Sequence, residues 1–363
     1  MGAYVGLAPA GFPNVALSNY AKEFADDDVP LVGDLIFPKV SVERQSFPYV
    51  IWNRDNLRVP GSTLRAPSTE PNTIRRSYST QSYFCRSHGL QTSIPFEDQA
   101  YGLGLGFDVR QHATKDLIGR IRRARESEIA TIALSVANFP NGVTLSGNSQ
   151  WDSYITTPAN NSSATVTSHP IIAIEGYKAM LRQAAIQDSQ MVLILSDPVT
   201  QALANHPDLV GRFVYTNPMG NISLNQMAHA FGLPEGNVVR ASSLSMSQNN
   251  TPSWIWGMHA FLGYSQPNPD RNDVSCGKTF VWAGGKGPDD NGSTTVFAGP
   301  PGTIDGYGVL EWIDPHLAKK TYWQSIDWYY GLAVTAQETG IPILNAVSSA
   351  NFPMGTIPGD IEG

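Results

Sequence analysis

Two pairs of residues in the second half of the sequence are of the types that hydrolases use for catalysis. Ser196 is followed directly by Asp197, and His206 lies two residues before Asp208. A serine nucleophile needs a histidine base and a carboxylate that orients the histidine. Ser and Asp are also ordinary capping residues, and Pro198 after Asp197 is typical of a first helical turn. Capping and surface roles are therefore favoured, with a soluble α/β hydrolase as the alternative from another functional class.

A further chemical motif is the tripeptide Gly277, Lys278 and Thr279, which closes many phosphate-binding loops. The first glycine of such a loop would fall at position 272, where the sequence has Asn272. The two cysteines, Cys85 and Cys276, match neither a disulfide framework nor a CxxC metal motif. We therefore expect free thiols in a reducing compartment and predict no cofactor, no metal ion and no enzymatic activity.

The charge of the chain limits the classes of partner. Charged residues make up only 15% of the sequence, and the net charge is −7. Low charge with scattered aromatic residues suits surfaces that are buried against protein partners, although a β-rich monomer with many loops has the same composition. The negative balance argues against nucleic-acid binding by broad phosphate neutralisation. The sequence also lacks a basic signal-peptide region and an apolar run of roughly 20 residues, so we expect no membrane contact.

The longest predicted helix runs from residue 108 to residue 136. Asp108 is a good N-cap, and apolar residues recur every three to five positions along the segment. Charged residues cluster on this helix: Arg120, Arg122, Arg123 and Arg125 beside Glu126 and Glu128. Charge runs on helices usually form a solvated face with local ion pairs. We expect such a face here, with nucleic-acid contact as the alternative.

Two predicted strands, at residues 41–52 and 75–94, are joined by a long polar connection. The stretch SYSTQSYFCRSH, residues 77–88, alternates like a strand, yet neither of its faces is convincingly apolar. An isolated two-stranded ribbon is marginal in water. The ribbon therefore either collapses onto its own chain or is supported by a neighbouring chain.

A second folding unit follows a polar linker at about residues 140–167. Ser168 and Pro170 begin a predicted helix, MVLIL at 191–195 is a predicted buried strand, and Asp197 is the predicted N-cap of the next helix. Residues 321–336 alternate strictly and predict one long final strand.

The order of these elements resembles the major capsid proteins of tailed bacteriophages, which have the Hong Kong 97 type capsid fold. SNYAKEFADDDVPLVGDLIFPKVSVERQSFPYVIW is similar to their N-terminal arm entering the extended loop, and YSTQSYFCRSHGLQTSIPFED to its return. RRARESEIATIAL is similar to their spine helix, and LILSDPVTQAL and WIWGMHAFLGY to their axial domain. The resemblance covers nearly the whole chain and supplies no catalytic residues.

The resemblance implies an α+β fold with five parts. They are an N-terminal arm (residues 1–40), an extended loop (41–97), a peripheral domain (98–165 and 316–350) with the spine helix at 108–136, an axial domain (166–315) and a C-terminal tail (351–363). The implied function is a capsid subunit that forms hexamers and pentamers of an icosahedral shell around double-stranded DNA, located in the virion. An encapsulin-like compartment shell is the alternative with the same fold.

The resemblance also implies partners and contacts. A portal protein and a cement protein are expected to bind the shell, and packaged DNA to touch it without sequence specificity. Because Met1 stands almost directly before the arm, we expect a separate scaffolding protein or none. In the family the extended loop lies across a neighbouring subunit. The residues expected at this contact are Arg65, Arg75, Arg76, Tyr78, Phe84 and Arg86.

Overall fold

The described part of the chain forms two main β-sheets and one long helix. The structure is a computed structural model that describes residues 12–13, 31–52, 63–65, 67–71, 73, 78–104, 108–156, 168–213, 222–246, 251–266, 270–288, 294–300, 303–304, 306–314 and 320–352. The predicted mixture of helix and sheet is therefore confirmed for these parts of the chain.

The first sheet has six strands, in the order β1-β15-β16-β12-β2, with β5 also paired to β16. The strands are β1 (Phe12–Pro13), β2 (Lys39–Val42), β5 (Arg86–Pro95), β12 (Gly277–Trp282), β15 (Tyr307–Ile313) and β16 (Thr321–Val334). Strand β16 confirms the predicted final strand. Its alternation buries Gln324, Ile326, Trp328 and Tyr330 on one face, as expected of a strand with one face toward a core.

The spine helix α3 (Val109–Ala133) packs on the first sheet and confirms the predicted helix. Its N-cap Asp108 accepts hydrogen bonds from the backbone N–H groups of Arg110 and Gln111. Leu117, Ile118 and Ile121 pack against apolar residues of β12, β15 and β16. Burying these side chains supplies the main hydrophobic stabilisation of the pair. Two short helices, α1 (Gly33–Ile36) and α2 (Phe96–Gly104), precede the spine helix.

The second sheet has five strands, in the order β6-β17-β11-β7-β8. They are β6 (Val143–Thr144), β7 (Met191–Ser196), β8 (Val238–Ala241), β11 (Ala260–Tyr264) and β17 (Gly340–Leu344). The helices of this unit are α4 (Ser153–Thr156), α5 (Pro170–Arg182), α6 (Asp197–Ala204), α7 (Pro207–Phe213) and α8 (Leu224–Phe231). The largest core cluster of the protein lies between these helices and the sheet.

Three two-stranded units lie outside the main sheets. The ribbon consists of β3 (Ser46–Trp52) and β4 (Tyr78–Phe84), and two hairpins consist of β9 (Leu244–Met246) with β10 (Pro252–Trp254) and of β13 (Gly285–Pro288) with β14 (Thr294–Phe297). The predicted two-stranded ribbon is thus present.

Several predicted strands are divided in the structure. The segment 41–52 contains the end of β2 and the whole of β3. The segment 75–94 changes from the ribbon to the first sheet at Cys85. This thiol residue is fully buried, and the adjacent carbonyl of Phe84 passes over Gly331 of β16. The alternating pattern continues through Cys85, so local periodicity does not mark the change of sheet.

The two sheets combine strands from both sides of the predicted domain boundaries. Strands β12 and β15 pair with β16 in the first sheet, although they lie within the predicted axial segment 166–315. Strands β6 and β17 lie in the second sheet, although they fall within the predicted peripheral segments. The reason is that strand pairing joins residues far apart in sequence, which a local pattern cannot indicate.

Candidate subunit-contact surface

Among the described residues, the inner face of the ribbon packs on its own chain most closely at one end. Tyr83 stacks on Phe280 of β12 with ring centroids 4.3 Å apart, and Tyr49 lies against the same ring at 5.6 Å. Val40 and Val42 of β2 complete this cluster. We call this end, residues 46–49 and 81–84, the ribbon root. It answers part of the question raised by the sequence, since the ribbon does bury one face there.

Hydrogen bonds fix the ribbon root in place. The Tyr83 hydroxyl donates to the carbonyl of Arg44 at 3.2 Å, and the Tyr49 hydroxyl lies 3.3 Å from the carbonyl of Val334. The Cys85 thiol donates to the carbonyl of Phe280 at 3.4 Å. Burial raises the pKa of this thiol to about 12. Cys85 is therefore a neutral packing residue rather than a reactive thiolate.

The outer face of the ribbon is open. Tyr78 is 63% exposed and Phe84 is 56% exposed, and Arg86 follows them on the surface. Arg65 is exposed as well, whereas Arg75 and Arg76 lie outside the described residues. Aromatic residues and arginine are the residue types that often contribute most of the binding energy at protein–protein interfaces.

A groove of about 550 Å³ lies between the ribbon root, the spine helix and β16. Phe84, Arg86 and His88 line one side, and Glu128 and Tyr330 are among the residues that line the remainder. The imidazole of His88 stacks on the Tyr330 ring at 4.0 Å, and the Tyr330 hydroxyl donates to Glu128 at 3.0 Å. Burial lowers the pKa of His88, so its ring is neutral at pH 7. The groove therefore presents aromatic surface with one acidic and one basic side chain at its rim.

The predicted solvated face of the spine helix is wrong for half of its charged residues. Arg122, Arg125 and Glu126 are buried, whereas Arg120 is exposed and pairs with Asp116 four residues earlier at 3.0 Å. Arg125 and Glu126 face residues 32–37, a segment that lies far away in the sequence. The spacing of charges along the helix therefore predicts the ion pair between Arg120 and Asp116, but not which charged residues are buried.

Arg125 binds the segment that leads into β2. Its guanidinium pairs with Asp34 at 2.5 Å and donates to the hydroxyl of Thr279 at 2.8 Å and to the carbonyl of Phe37 at 3.3 Å. Its guanidinium also lies 5.2 Å from the ring of Trp328. A buried charge is tolerated when it is paired and hydrogen-bonded in this way.

Glu126 joins three separate parts of the chain. Its carboxylate accepts hydrogen bonds from the backbone N–H groups of Val32 and Gly33 and from the indole of Trp256, at 2.8–3.2 Å. Burial is the largest effect on this group and raises its pKa. Gly33 is required at this point, because a Cβ there would lie 2.5 Å from the carboxylate.

The predicted hydrolase residues do not form a catalytic site. The Ser196 hydroxyl is fully buried and has no hydrogen-bond partner in the described part of the chain. Ser196, and not Asp197, is the N-cap of α6, and its side chain makes no capping hydrogen bond. Asp197 instead forms an ion pair with Arg240 and accepts a hydrogen bond from Gln201 at 2.7 Å. The predicted N-cap role of Asp197 is therefore wrong, because its carboxylate faces β8 rather than the end of its own helix.

His206 lies against a different serine and cannot act as a base toward it. Its Nδ1 accepts the backbone N–H of Asp208 at 3.2 Å, so neutral His206 carries its proton on Nε2. That nitrogen lies 3.1 Å from the Ser168 hydroxyl and donates to it. Burial also lowers the pKa of His206. A base must accept the serine proton at this nitrogen, so the arrangement holds α7 in place rather than activating Ser168.

The tripeptide 277–279 is part of strand β12 rather than a phosphate-binding loop. Lys278 is fully buried, and its ammonium donates to the carbonyls of Asp270, Arg271 and Asp273 at 2.5–3.0 Å. All its donors are therefore taken by the protein's own backbone.

No described group of three or more His, Cys, Asp or Glu side chains is arranged to hold a metal ion. Among the described helices, none combines the length and apolar character required to cross a bilayer.

Comparison with known proteins identifies the fold. No family model matches the chain. A phage-related protein from Bordetella bronchiseptica RB50 is 20% identical, with a TM-score of 0.66 and coverage of 93% of this chain and 98% of that one. The capsid protein of Cyanophage P-SCSP1u is 10% identical, with a TM-score of 0.54 and coverage of 95% and 92%. The chain therefore has the phage capsid fold of the Hong Kong 97 type, and this prediction from the sequence is confirmed.

One relative is also similar in sequence. It is the major capsid protein of Pseudomonas phage JBD67, which is 25% identical over an alignment of 263 residues. The match covers 69% of this chain and 78% of the relative.

Sequence reasoning missed the groove and the buried charges behind the ribbon. Local patterns also give no sign that Arg44 and Arg271 both contact the ring of Phe47. One usable signal was Gly331, a glycine inside the strongest predicted strand, because such glycines often mark a close approach of another backbone.

Proposed function

We propose that this chain is a major capsid protein that assembles with copies of itself into the shell of a tailed bacteriophage. The observation that carries the proposal is the relative named as a major capsid protein, which matches 69% of the chain. The shared fold along nearly the whole chain supports the same function. The protein is then a component of the virion with a structural, non-enzymatic role.

The ribbon is the proposed contact with the next subunit. Its root is held by Phe280, while Tyr78, Phe84 and Arg86 present an open aromatic and basic surface. A ribbon covered on one face by its own chain gains stability when a second chain covers the other face. Arg65 and, outside the described residues, Arg75 and Arg76 belong to the same proposed contact. Identical contacts repeated around a closed ring give hexamers and pentamers.

Further partners follow from the proposal. A scaffolding protein would guide assembly, a portal protein would replace one pentamer, and a cement protein would bind the outer surface. The shell would enclose double-stranded DNA without sequence-specific contacts, in agreement with a net charge of −7. No membrane partner is proposed.

Electron microscopy of the purified protein, with light scattering after size exclusion, tests the proposal. We expect closed shells, or rings that convert to them. A stable monomer that is unchanged when residues 53–73 are deleted would contradict it. Shells that contain a host enzyme as cargo would instead favour the encapsulin-like alternative.

A paired set of variants tests the contact surface. Tyr78→Ala with Phe84→Ala removes exposed aromatic area from the ribbon, and Ile172→Ala, at a residue that is 70% exposed on α5, is the control. We expect at least a roughly tenfold loss of assembled particles for the ribbon variant, as for residues at the centre of an interface. Equal losses for both variants would show that the ribbon has no special part in assembly.

A further inference from the structure

Lys278 is the centre of a small cation site built from backbone carbonyls. Its ammonium lies 2.5 Å from the carbonyl oxygen of Asp270, 3.0 Å from that of Arg271 and 2.6 Å from that of Asp273. We call residues 270–273 the carbonyl loop. Three carbonyl dipoles that converge at a partly buried point repel one another unless a cation or donors lie between them. The ammonium therefore determines the shape of this loop.

The base of this arrangement is rigid. Lys278 belongs to β12, and its backbone is paired with Ala333 of β16 in the first sheet. On the other side, β12 pairs with β2, which leads into the ribbon. The carbonyl loop also has an internal hydrogen bond, from the backbone N–H of Asp270 to the Asp273 carboxylate at 2.8 Å. The position of Lys278 is thus fixed by the sheet, and the loop is fixed by Lys278.

The carbonyl loop contacts the ribbon through one side chain. The guanidinium of Arg271 lies 4.7 Å from the ring of Phe47 and 3.8 Å from the carboxylate of Glu43. Phe47 is in β3, directly opposite Tyr83 of β4. Arg44 lies 5.0 Å from the same ring and 4.3 Å from Phe297 of the hairpin β13–β14. Two guanidinium groups therefore contact Phe47, and cation–π contacts of this kind hold a ring in orientation as well as in place.

We propose that Lys278 and Arg271 are positioning residues that set the angle of the ribbon on the body of the subunit. Lys278 shapes the carbonyl loop, the loop places the Arg271 guanidinium, and Arg271 orients Phe47 in β3. The stacking of Tyr83 and Tyr49 on Phe280 attaches the ribbon root. The second contact, at Phe47, prevents rotation about that attachment. The value of this fixed angle for contacts between subunits rests on the proposed function. The effect of Lys278 and Arg271 on the angle does not depend on that function.

Hydrogen–deuterium exchange of the full-length chain, with every variant in the same oligomeric state, tests this proposal. Lys278→Met keeps an unbranched side chain, one atom shorter than lysine, and removes its charge and donors. We expect amides of β3 and β4 to exchange roughly tenfold faster, as for local opening of a segment that has lost one of its attachments. Amides of β7 and β11, in the second sheet, should keep their rates.

A matched control is present in the second unit. Lys178 is also a buried lysine, and it pairs with Glu175 at 2.7 Å and Asp188 at 3.3 Å, away from the ribbon. Lys178→Met should accelerate exchange in α5 and leave the ribbon unchanged. This comparison separates a specific effect of Lys278 from the general effect of losing a buried ammonium.

Arg271→Gln keeps the experiment informative if Lys278→Met does not fold. It removes the contact with Phe47 while Lys278 stays in place, and it should reproduce the faster exchange in β3 and β4. The double variant should add nothing at the ribbon, because the two residues act in series. Faster exchange confined to residues 270–278, or an equal increase in both sheets, would overturn the proposal. Neither result depends on particle formation, so failure here is distinct from failure of the capsid proposal.

Discussion

The indole Nε1 of Trp256 donates a hydrogen bond of 2.8 Å to Oε1 of Glu126, 130 residues away in sequence. The same carboxylate accepts the backbone N–H groups of Val32 and Gly33. One side chain therefore joins the spine helix to the chain before β2 and to the turn between β10 and β11. The spine helix packs on the first sheet, and Trp256 precedes a strand of the second sheet. Glu126 therefore connects the two main units of the subunit, and we call it a joint.

Replacing this carboxylate should destabilise the whole subunit. Glu126→Gln places an amide NH₂ against buried N–H donors and leaves at least one of them without an acceptor. We expect the free energy of unfolding to fall by about 3 kcal/mol, measured by chemical denaturation. Glu128→Gln is the control, since Glu128 is 45% exposed, and it should change stability by less than about 1 kcal/mol. Equal effects would contradict the role of Glu126 as a joint.

The crossing of the ribbon over the first sheet requires a glycine. A Cβ at Gly331 would lie 2.4 Å from the carbonyl oxygen of Phe84, which is backbone and cannot move aside. Gly331→Ala should therefore reduce the free energy of unfolding by about 1–3 kcal/mol and displace the ribbon root. The control is Gly119→Ala in the spine helix, where a Cβ meets no atom within 4 Å. There we expect a gain of about 0.5–1 kcal/mol from helix propensity. A neutral Gly331→Ala would mean that the crossing can shift freely.

The hydroxyl of Ser196 provides a test of the hydrolase alternative. Because it is buried without a partner in the described chain, its removal should be neutral or stabilising. We expect Ser196→Ala to keep or raise the thermal unfolding midpoint and to leave particle formation unchanged. Thr200→Ala is the comparison, since the Thr200 hydroxyl donates to the carbonyl of Ser196 at 2.9 Å. A strongly destabilised Ser196→Ala would show that the hydroxyl has a partner after all.

An ion pair in the second unit makes stability dependent on acid pH. Hydrogen bonding to Arg182 is the largest cause that lowers the pKa of Asp188, from 3.8 to about 2. The folded state therefore binds fewer protons at this site than the unfolded state between these two values. The contribution to stability is complete above pH 3.8 and is lost as the pH falls through about 2.

Asp188→Asn should remove this contribution. Denaturation midpoints measured between pH 2 and 5 should fall less steeply with acid in the variant than in the wild type. Asp116→Asn is the control, because its partner Arg120 is 65% exposed and the pair lies on open helix surface. An identical acid dependence for wild type and Asp188→Asn would count against the ion pair.

Local patterns in the sequence determined where the main helix and the longest strand of this protein lie. The apolar spacing and the Asp108 cap define the spine helix within a few residues, because helix formation depends on neighbours three and four positions away. The strict alternation of β16 defines that strand, because successive side chains of a strand point to opposite faces. The order of these elements was enough for the resemblance that the comparisons confirm at the level of the fold.

Only the tertiary structure decided which charges are buried and where the ribbon lies. Arg125 and Glu126 look like surface residues in sequence, but their partners include Thr279 and Trp256, more than 100 residues away. Cys85 ends one strand pairing and begins another without any break in the alternating pattern. Lys278 belongs to a tripeptide typical of the end of a phosphate loop, but its ammonium binds three backbone carbonyls instead. Such contacts form between distant segments when the chain packs, so no spacing within a single segment can encode them.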